Sequence, residues 1–165
     1  MSGHSKKTSQ AAKPSGRTEP LFELPTVIKM LPLIRRIAAD LLASRDELIS
    51  LRGEVIRLER QRKGLNWPER NRRYVLQDTL NDAERRARSF VIELENLGVA
   101  VIDGETGQMG FPTIVNNKLA FFSWLPGEDT VTSWHYDGDE TRRRPVPEAW
   151  YKPLPQAKPA LKRKG

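Results

Sequence analysis

Residues able to do chemistry are concentrated in one stretch, Trp124-Leu-Pro-Gly-Glu-Asp-Thr-Val-Thr-Ser-Trp134-His135. It holds two of the four tryptophans and the only histidine beyond His4, arranged around a Pro-Gly turn. His135, Glu128, Asp103 and Asp137 are the residue types of an acid/base or metal cluster. Their spacing favours neither. Ser133 and His135 fall on one face of one strand, and successive same-face residues rarely make a nucleophile-base pair with an orienting acid. A metal needs more ligands than one histidine and loop carboxylates. The absence of cysteine removes thiolate sites and disulfides. The expectation is a protein without cofactor or metal, in which Trp134 and His135 are structural and the imidazole bonds a turn carboxylate such as Glu128. The functional alternative is a binding surface made of Trp124, Glu128, Trp134, His135 and Arg144.

Two helices must carry this block. Leu41, Ser44, Leu48, Leu51, Val55 and Leu58 recur at alternating spacings of three and four. Leu76, Leu80, Ala83, Ala87, Phe90, Leu94 and Leu97 do the same. This is the seam of an antiparallel helical hairpin, coiled-coil-like, with charged residues on the other faces. Helix 1 is expected over 21–63, starting near Leu24 with Pro25 in its first turn and with a kink or fresh start at Pro32. Residues 64–73 read as a basic loop in which Trp67-Pro68 folds back onto the helix ends. Helix 2 is expected over 74–98, with Gly98 supplying the positive φ of a helix terminus.

Beyond Gly98 the period changes to that of strands, and 99–146 reads as a small β meander. Asn116-Asn117 suits a tight hairpin turn between Phe111–Val115 and Lys118–Leu125. Pairing Val115 with Lys118 sets Phe111 opposite Phe122. A four-residue turn over Leu125–Glu128 then sets Trp124 opposite Asp129 and Phe122 opposite Val131. On that register Phe122, Trp124, Val131 and His135 share one face, and Phe121 and Trp134 share the other. Both faces are apolar, so the one turned from the helices needs a cover: the Pro145–Pro155 segment, a second copy, or another partner. The expected fold is α+β, with the meander packed at the open end of the hairpin.

The net charge of +7 is unevenly placed. The leader, 1–20, carries +3 and residues 152–165 carry +5, which leaves the interior at −1. Both ends, 1–20 and 147–165, have the composition of disordered or extended basic tails. Within the interior, Arg57, Arg60, Arg62, Lys63, Arg70, Arg72 and Arg73 outnumber Glu59 and Glu69. That basic patch is either a solvated helix end or an anion contact, and no phosphate-cradling glycine loop accompanies it. No apolar run approaches the ~20 residues that span a bilayer. The start lacks the apolar core of a signal peptide, and a cytoplasmic protein is expected.

The order of these features resembles the bacterial family called domain of unknown function 2203. The resemblance runs through Leu21-Phe22, Met30-Leu31-Pro32-Leu33, Leu94-Glu-Asn-Leu97-Gly98-Val99, Asp103 and Gly110-Phe111-Pro112. It continues through Trp124…Gly127-Glu128, Trp134-His135 and Arg144-Pro145, and covers about residues 21–146. Leu125 stands where the family usually has a basic residue, and Pro126 where it has leucine. The resemblance implies architecture and no activity. The reading reached is a non-enzymatic protein-interaction or scaffold module that associates with itself, as a homodimer, or with another protein. The alternatives are a small-ligand or metal-assisted enzyme centred on the Trp-His face, and a weak, non-specific nucleic-acid binder acting through its basic tails and loop.

Overall fold

The computed structural model describes residues 21–155; the expectations for the leader and for the end of the tail lie outside them. Two long antiparallel helices lead into a five-stranded antiparallel meander in the order β1-β2-β3-β4-β5. The helices are α1 (Leu24–Arg60) and α2 (Trp67–Asn96). The strands are β1 (Ala100–Asp103), β2 (Gln108–Val115), β3 (Lys118–Trp124), β4 (Ser133–Tyr136) and β5 (Arg144–Pro145). A 3-10 turn over Arg62–Gly64 joins the helices, and another over Glu148–Tyr151 follows β5. The fold is α+β, with the sheet at the open end of the hairpin.

The helix seam holds as the spacing requires: every seam residue named above is buried or half-buried. Its tightest point is Ala83, which is fully buried beside Leu48 and Leu80, while Ala87 is only partly covered. α1 runs unbroken through Pro32, so no fresh start occurs there. Proline costs the helix one donor at that point. Leu31 and Ile34, buried on either side of it, hold the segment against the sheet.

α2 begins at Trp67 rather than at 74. Asn66 Oδ1 accepts from the Glu69 backbone N–H at 3.0 Å and Glu69 Oε2 accepts from the Asn66 N–H at 3.0 Å, which makes a capping box. Pro68 then sits in the first turn, where its missing donor costs nothing. The expected basic loop shrinks accordingly, and Arg70, Arg72 and Arg73 belong to α2. Trp67 does not fold back; it is 70% exposed. At the other end, Val99 N–H bonds Leu94 O and Gly98 N–H bonds Glu95 O, both at 2.9 Å, with Gly98 at φ 80°. This pair of bonds reverses the chain into β1 and buries Val99 beside Leu94.

In the sheet, Asn116 (φ 51°) and Asn117 (φ 59°) form the left-handed two-residue turn, and Val115 pairs with Lys118 and Phe111 with Phe122 as expected. The next register is different. Phe122 pairs with Trp134 and Phe121 with His135, because residues 125–132 form a longer connection than a four-residue turn. The shift is by an odd number of residues, so the faces exchange. Trp134 joins Phe111, Phe122 and Trp124 on the face toward the helices, and His135 goes with Phe121 to the other. Trp150 does not cover the outer face; it packs on the helix side against Phe122 and Trp134, at ring-centroid distances of 6.1 and 5.5 Å.

Ala83→Leu is expected to cost about 1–3 kcal/mol by overpacking the seam, and Leu48→Asp several kcal/mol by burying an unpaired carboxylate. Urea unfolding followed by circular dichroism measures both, and parent-like midpoints would refute the helix pairing.

Candidate functional site

The Trp-His block is held together by Arg143, which crosses from the β4–β5 connection back to β3. Its guanidinium makes a two-pronged ion pair with Glu128, Nη1 to Oε1 at 2.8 Å and Nη2 to Oε2 at 2.9 Å. Its Nε donates to Ser123 Oγ at 3.0 Å and Nη2 also donates to Ser123 O at 3.2 Å. Gln108 Nε2 donates to the same hydroxyl at 2.9 Å. Glu128 closes its own turn by accepting from the Leu125 N–H at 2.9 Å, and Glu128 O accepts from Trp124 Nε1 at 3.0 Å. Partial burial would raise the Glu128 carboxyl, but the Arg143 hydrogen bonds, the Leu125 N–H and the guanidinium charge outweigh it. The group is held below its ordinary value of 4.5.

This network reassigns the expected partners. His135 does not bond Glu128. It is fully buried, stacked on Phe121 at 5.6 Å, with Nδ1 2.9 Å from Tyr136 O. A carbonyl only accepts, so Nδ1 carries a proton. Nε2 is buried without a hydrogen-bond partner among the described residues. Arg144 lies over the rings of Trp134 and Tyr136, at 5.4 and 5.0 Å. Trp124 and Trp134 therefore sit inside the core, Arg144 packs along its edge, and Glu128 and His135 belong to the connection and the outer face. Among the described residues, no group of three or more His, Cys, Asp or Glu side chains could hold a metal. A cleft of about 300 Å³ opens near the start of α1 between Phe22, Phe122 and Trp150, and neither His135 nor Glu128 lines it.

A second surface lies along the hairpin. Ile49 and Ile56 are two turns apart on α1, and Trp67 and Tyr74 two turns apart on α2. All four are more than half exposed: 62%, 52%, 70% and 64%. Arg52 lies between the isoleucines and bridges Glu84 at 3.1 Å, and Glu84 is the (i, i+3) neighbour of Asn81, the next position of the Trp67–Tyr74 row. The two rows therefore share one side of the hairpin. The other side is crossed by Arg86–Glu47 at 2.9 Å and by the Arg72–Glu54 pair. Toward the sheet the α1 row continues as Arg45 and Leu42. Arg45 donates to Glu105 O, and a Cβ added at Gly107 would lie 3.2 Å from Leu42 Cδ1. The β1–β2 turn thus rests on the first part of this row and leaves the rest bare.

The basic patch divides in two. Arg72 and Arg73 are paired with Glu54 and Glu59. Arg60, Arg62, Lys63 and Arg70 form no salt bridge among the described residues. Sequence reasoning missed Arg143 and the exposed row. Nothing in Arg142-Arg143-Arg144 tells which arginine turns inward. The row did leave a signal, since Ile49 and Ile56 each follow a seam residue by one position.

Glu128→Gln is expected to cost about 1.5–3 kcal/mol at neutral pH, the range of hydrogen bonds to charged groups. The folded-state carboxyl titrates below the unfolded one, so this contribution is full above the ordinary carboxylate range. It vanishes as pH falls through the depressed value, and thermal melts of parent and variant from neutral to acid pH should converge. His135→Phe keeps the stack on Phe121 and loses one hydrogen bond, and should cost about 1 kcal/mol. A loss several times larger in denaturant titration would assign Nε2 an unseen partner.

No curated protein and no solved structure matches this chain. The model of the family described as uncharacterized conserved protein (DUF2203) matches residues 20–146. That span includes both helices, all five strands of the sheet, Glu128, His135 and Arg143, and the chain belongs to this family.

Proposed function

We propose that the protein is a non-enzymatic interaction module, a small cytoplasmic scaffold that associates with itself through the bare side of its helical hairpin. The observation that carries this reading is the row of Ile49, Ile56, Trp67 and Tyr74, exposed on one side of two packed helices. Large apolar side chains scattered singly need no explanation, whereas an aligned set rimmed by charge marks an interaction site. Tryptophan, tyrosine and arginine are the residues most enriched where protein surfaces bind each other. A catalytic Trp-His face is less well supported, because His135 is fully buried and Glu128, the carboxylate expected to bond it, is bound to Arg143. No helix among the described residues is long and apolar enough to cross a membrane.

A second reading, contact with a polyanion, is favoured by the four cations at the hairpin tip that lack acidic partners among the described residues, next to exposed Trp67. Salt-sensitive binding without sequence preference is what such a patch would give.

Sedimentation equilibrium of the full chain over a concentration series tests the first reading. The chain should weigh as a dimer. Trp67→Ala should keep the parent circular dichroism spectrum, since the indole is 70% exposed, and should weaken association. The expected loss is about tenfold or more, that is about 1.4 kcal/mol. A monomeric parent, or a dimer indifferent to Trp67→Ala, would end the proposal.

A further inference from the structure

The bare row ends against an acidic step. The β1–β2 turn stands on α1 at Leu42 and Arg45, and it carries Asp103 and Glu105. Asp129 lies in the neighbouring β3–β4 connection, whose carbonyl oxygen accepts from Arg35. Two cations reach this corner: Arg45 is already paired with Asp46 at 2.7 Å, and Arg35 is held on the Asp129 carbonyl, against the three carboxylates Asp103, Glu105 and Asp129. The other end of the row is the hairpin tip, where Arg60, Arg62, Lys63 and Arg70 have no acidic partner among the described residues. The hairpin side is thus basic at one end, apolar in the middle and acidic at the other end.

We infer that the bare row is occupied by a second copy of this chain, packed face to face and antiparallel, with the basic tip of each copy against the acidic β1–β2 corner of the other. The inference rests on the self-association proposed above and specifies its geometry. A two-fold axis lying in the contact plane near Arg52 reverses the hairpin and keeps α1 over α1. Ile49 then meets the other copy's Ile56, and the reverse, as an isologous contact requires. One step further out, Arg60 comes opposite position 45 and Lys63 opposite position 42, where the β1–β2 turn rests. The register that matches isoleucine to isoleucine therefore also brings Lys63 to the turn that carries Asp103 and Glu105, twice, while Arg45, opposite Arg60, is paired with Asp46. A parallel arrangement would set the two basic tips together, and like charges brought together in an interface are a strong penalty.

The size is adequate. From Asp46 to Lys63 the row is about 26 Å long at the helical rise, and two helices side by side present a width of about 20 Å. That is about 500 Å² per copy, or about 1,000 Å² in all, the lower bound for a specific interface. The tip and corner contacts add to it.

Charge exchange tests the geometry on the full chain. One variant reverses the tip, with Arg60→Glu, Arg62→Glu and Lys63→Glu. The other reverses the corner, with Glu105→Arg and Asp129→Arg; Asp103 is kept because it closes its turn by accepting from Glu105 N–H at 2.8 Å. All five side chains are exposed, and each variant should keep the parent circular dichroism spectrum. Alone, each should sediment as a monomer, since its tip and corner then repel. An equimolar mixture should sediment at twice the monomer mass, because both junctions become complementary, and added salt should dissociate it. A dimeric parent that is lost on Trp67→Ala, with a mixture that stays monomeric, would overturn this geometry and leave the proposed self-association standing. A monomeric parent would overturn both. A monomeric parent whose tryptophan emission is quenched by an oligothymidylate would assign the tip to single-stranded nucleic acid instead.

Discussion

Val27, Leu31, Ile34, Ile37 and Ala38 of α1 share one buried cluster with Phe111, Phe122, Trp124 and Trp134 of the sheet. The rest of the molecule depends on that contact. A meander whose outer strands have only two to four residues cannot hold itself flat in water, since small sheets need a packed face. The first half of α1 supplies the face, and Pro25 and Pro32 can lie in it because packing rather than helix propensity decides its conformation. Burial of the larger aromatics alone outweighs the donor lost at Pro32, at about 1.5–3 kcal/mol for each fully buried side chain.

With one face closed by helix, the other is closed by a salt bridge. Arg143 joins three segments of chain: β3 through Ser123, the β3–β4 connection through Glu128, and its own connection from β4 to β5. Exposed ion pairs contribute little, but a two-pronged, partly buried arginine-carboxylate pair fixes direction as well as charge. Ser123 and His135, both fully buried, lie on the sheet face that this guanidinium crosses. The block that looks most like chemistry in the sequence is in this sense a clasp. Its tryptophans fill the core, its glutamate and an arginine tie the loops, and its histidine fills a place beside Phe121.

How much of this was legible depended on whether the signal was local. The helix seam was readable because alternating threes and fours admit one partner face, and Asn116-Asn117 because two adjacent residues with positive φ allow few turns. The Asn66–Glu69 capping box is equally local, yet the density of arginine beside it reads as loop, which is why α2 starts earlier than charge alone suggests. The β3–β4 register was not readable. Pro126-Gly127 invites a short turn, and the contacts that hold the longer connection in place, Arg143–Glu128, Arg35–Asp129 and Tyr151–Val131 among them, join residues distant in sequence. One odd-numbered slip was enough to exchange the faces of Trp134 and His135, and with them the view of which residue could be a surface.

The two halves of α1 have unequal support. The half under the sheet belongs to the large core, whereas the outer half relies on a separate small cluster of Leu48, Leu80 and Ala83 with Leu51, Val55 and Ala87 around it. The ion pairs crossing the hairpin there are exposed, and pairs of that kind contribute about 0–1 kcal/mol each. Two helices bury only one stripe apiece, so the outer hairpin is the part of the fold with the least apolar burial per residue and is expected to open first. It is also where Ile49, Ile56, Trp67 and Tyr74 stand in water. A surface packed on that side would supply the burial that the outer hairpin lacks, and the stability of this segment and its association are then a single equilibrium. The sheet covers only one half of one side of the long hairpin, and the half it leaves uncovered is the one carrying the apolar row.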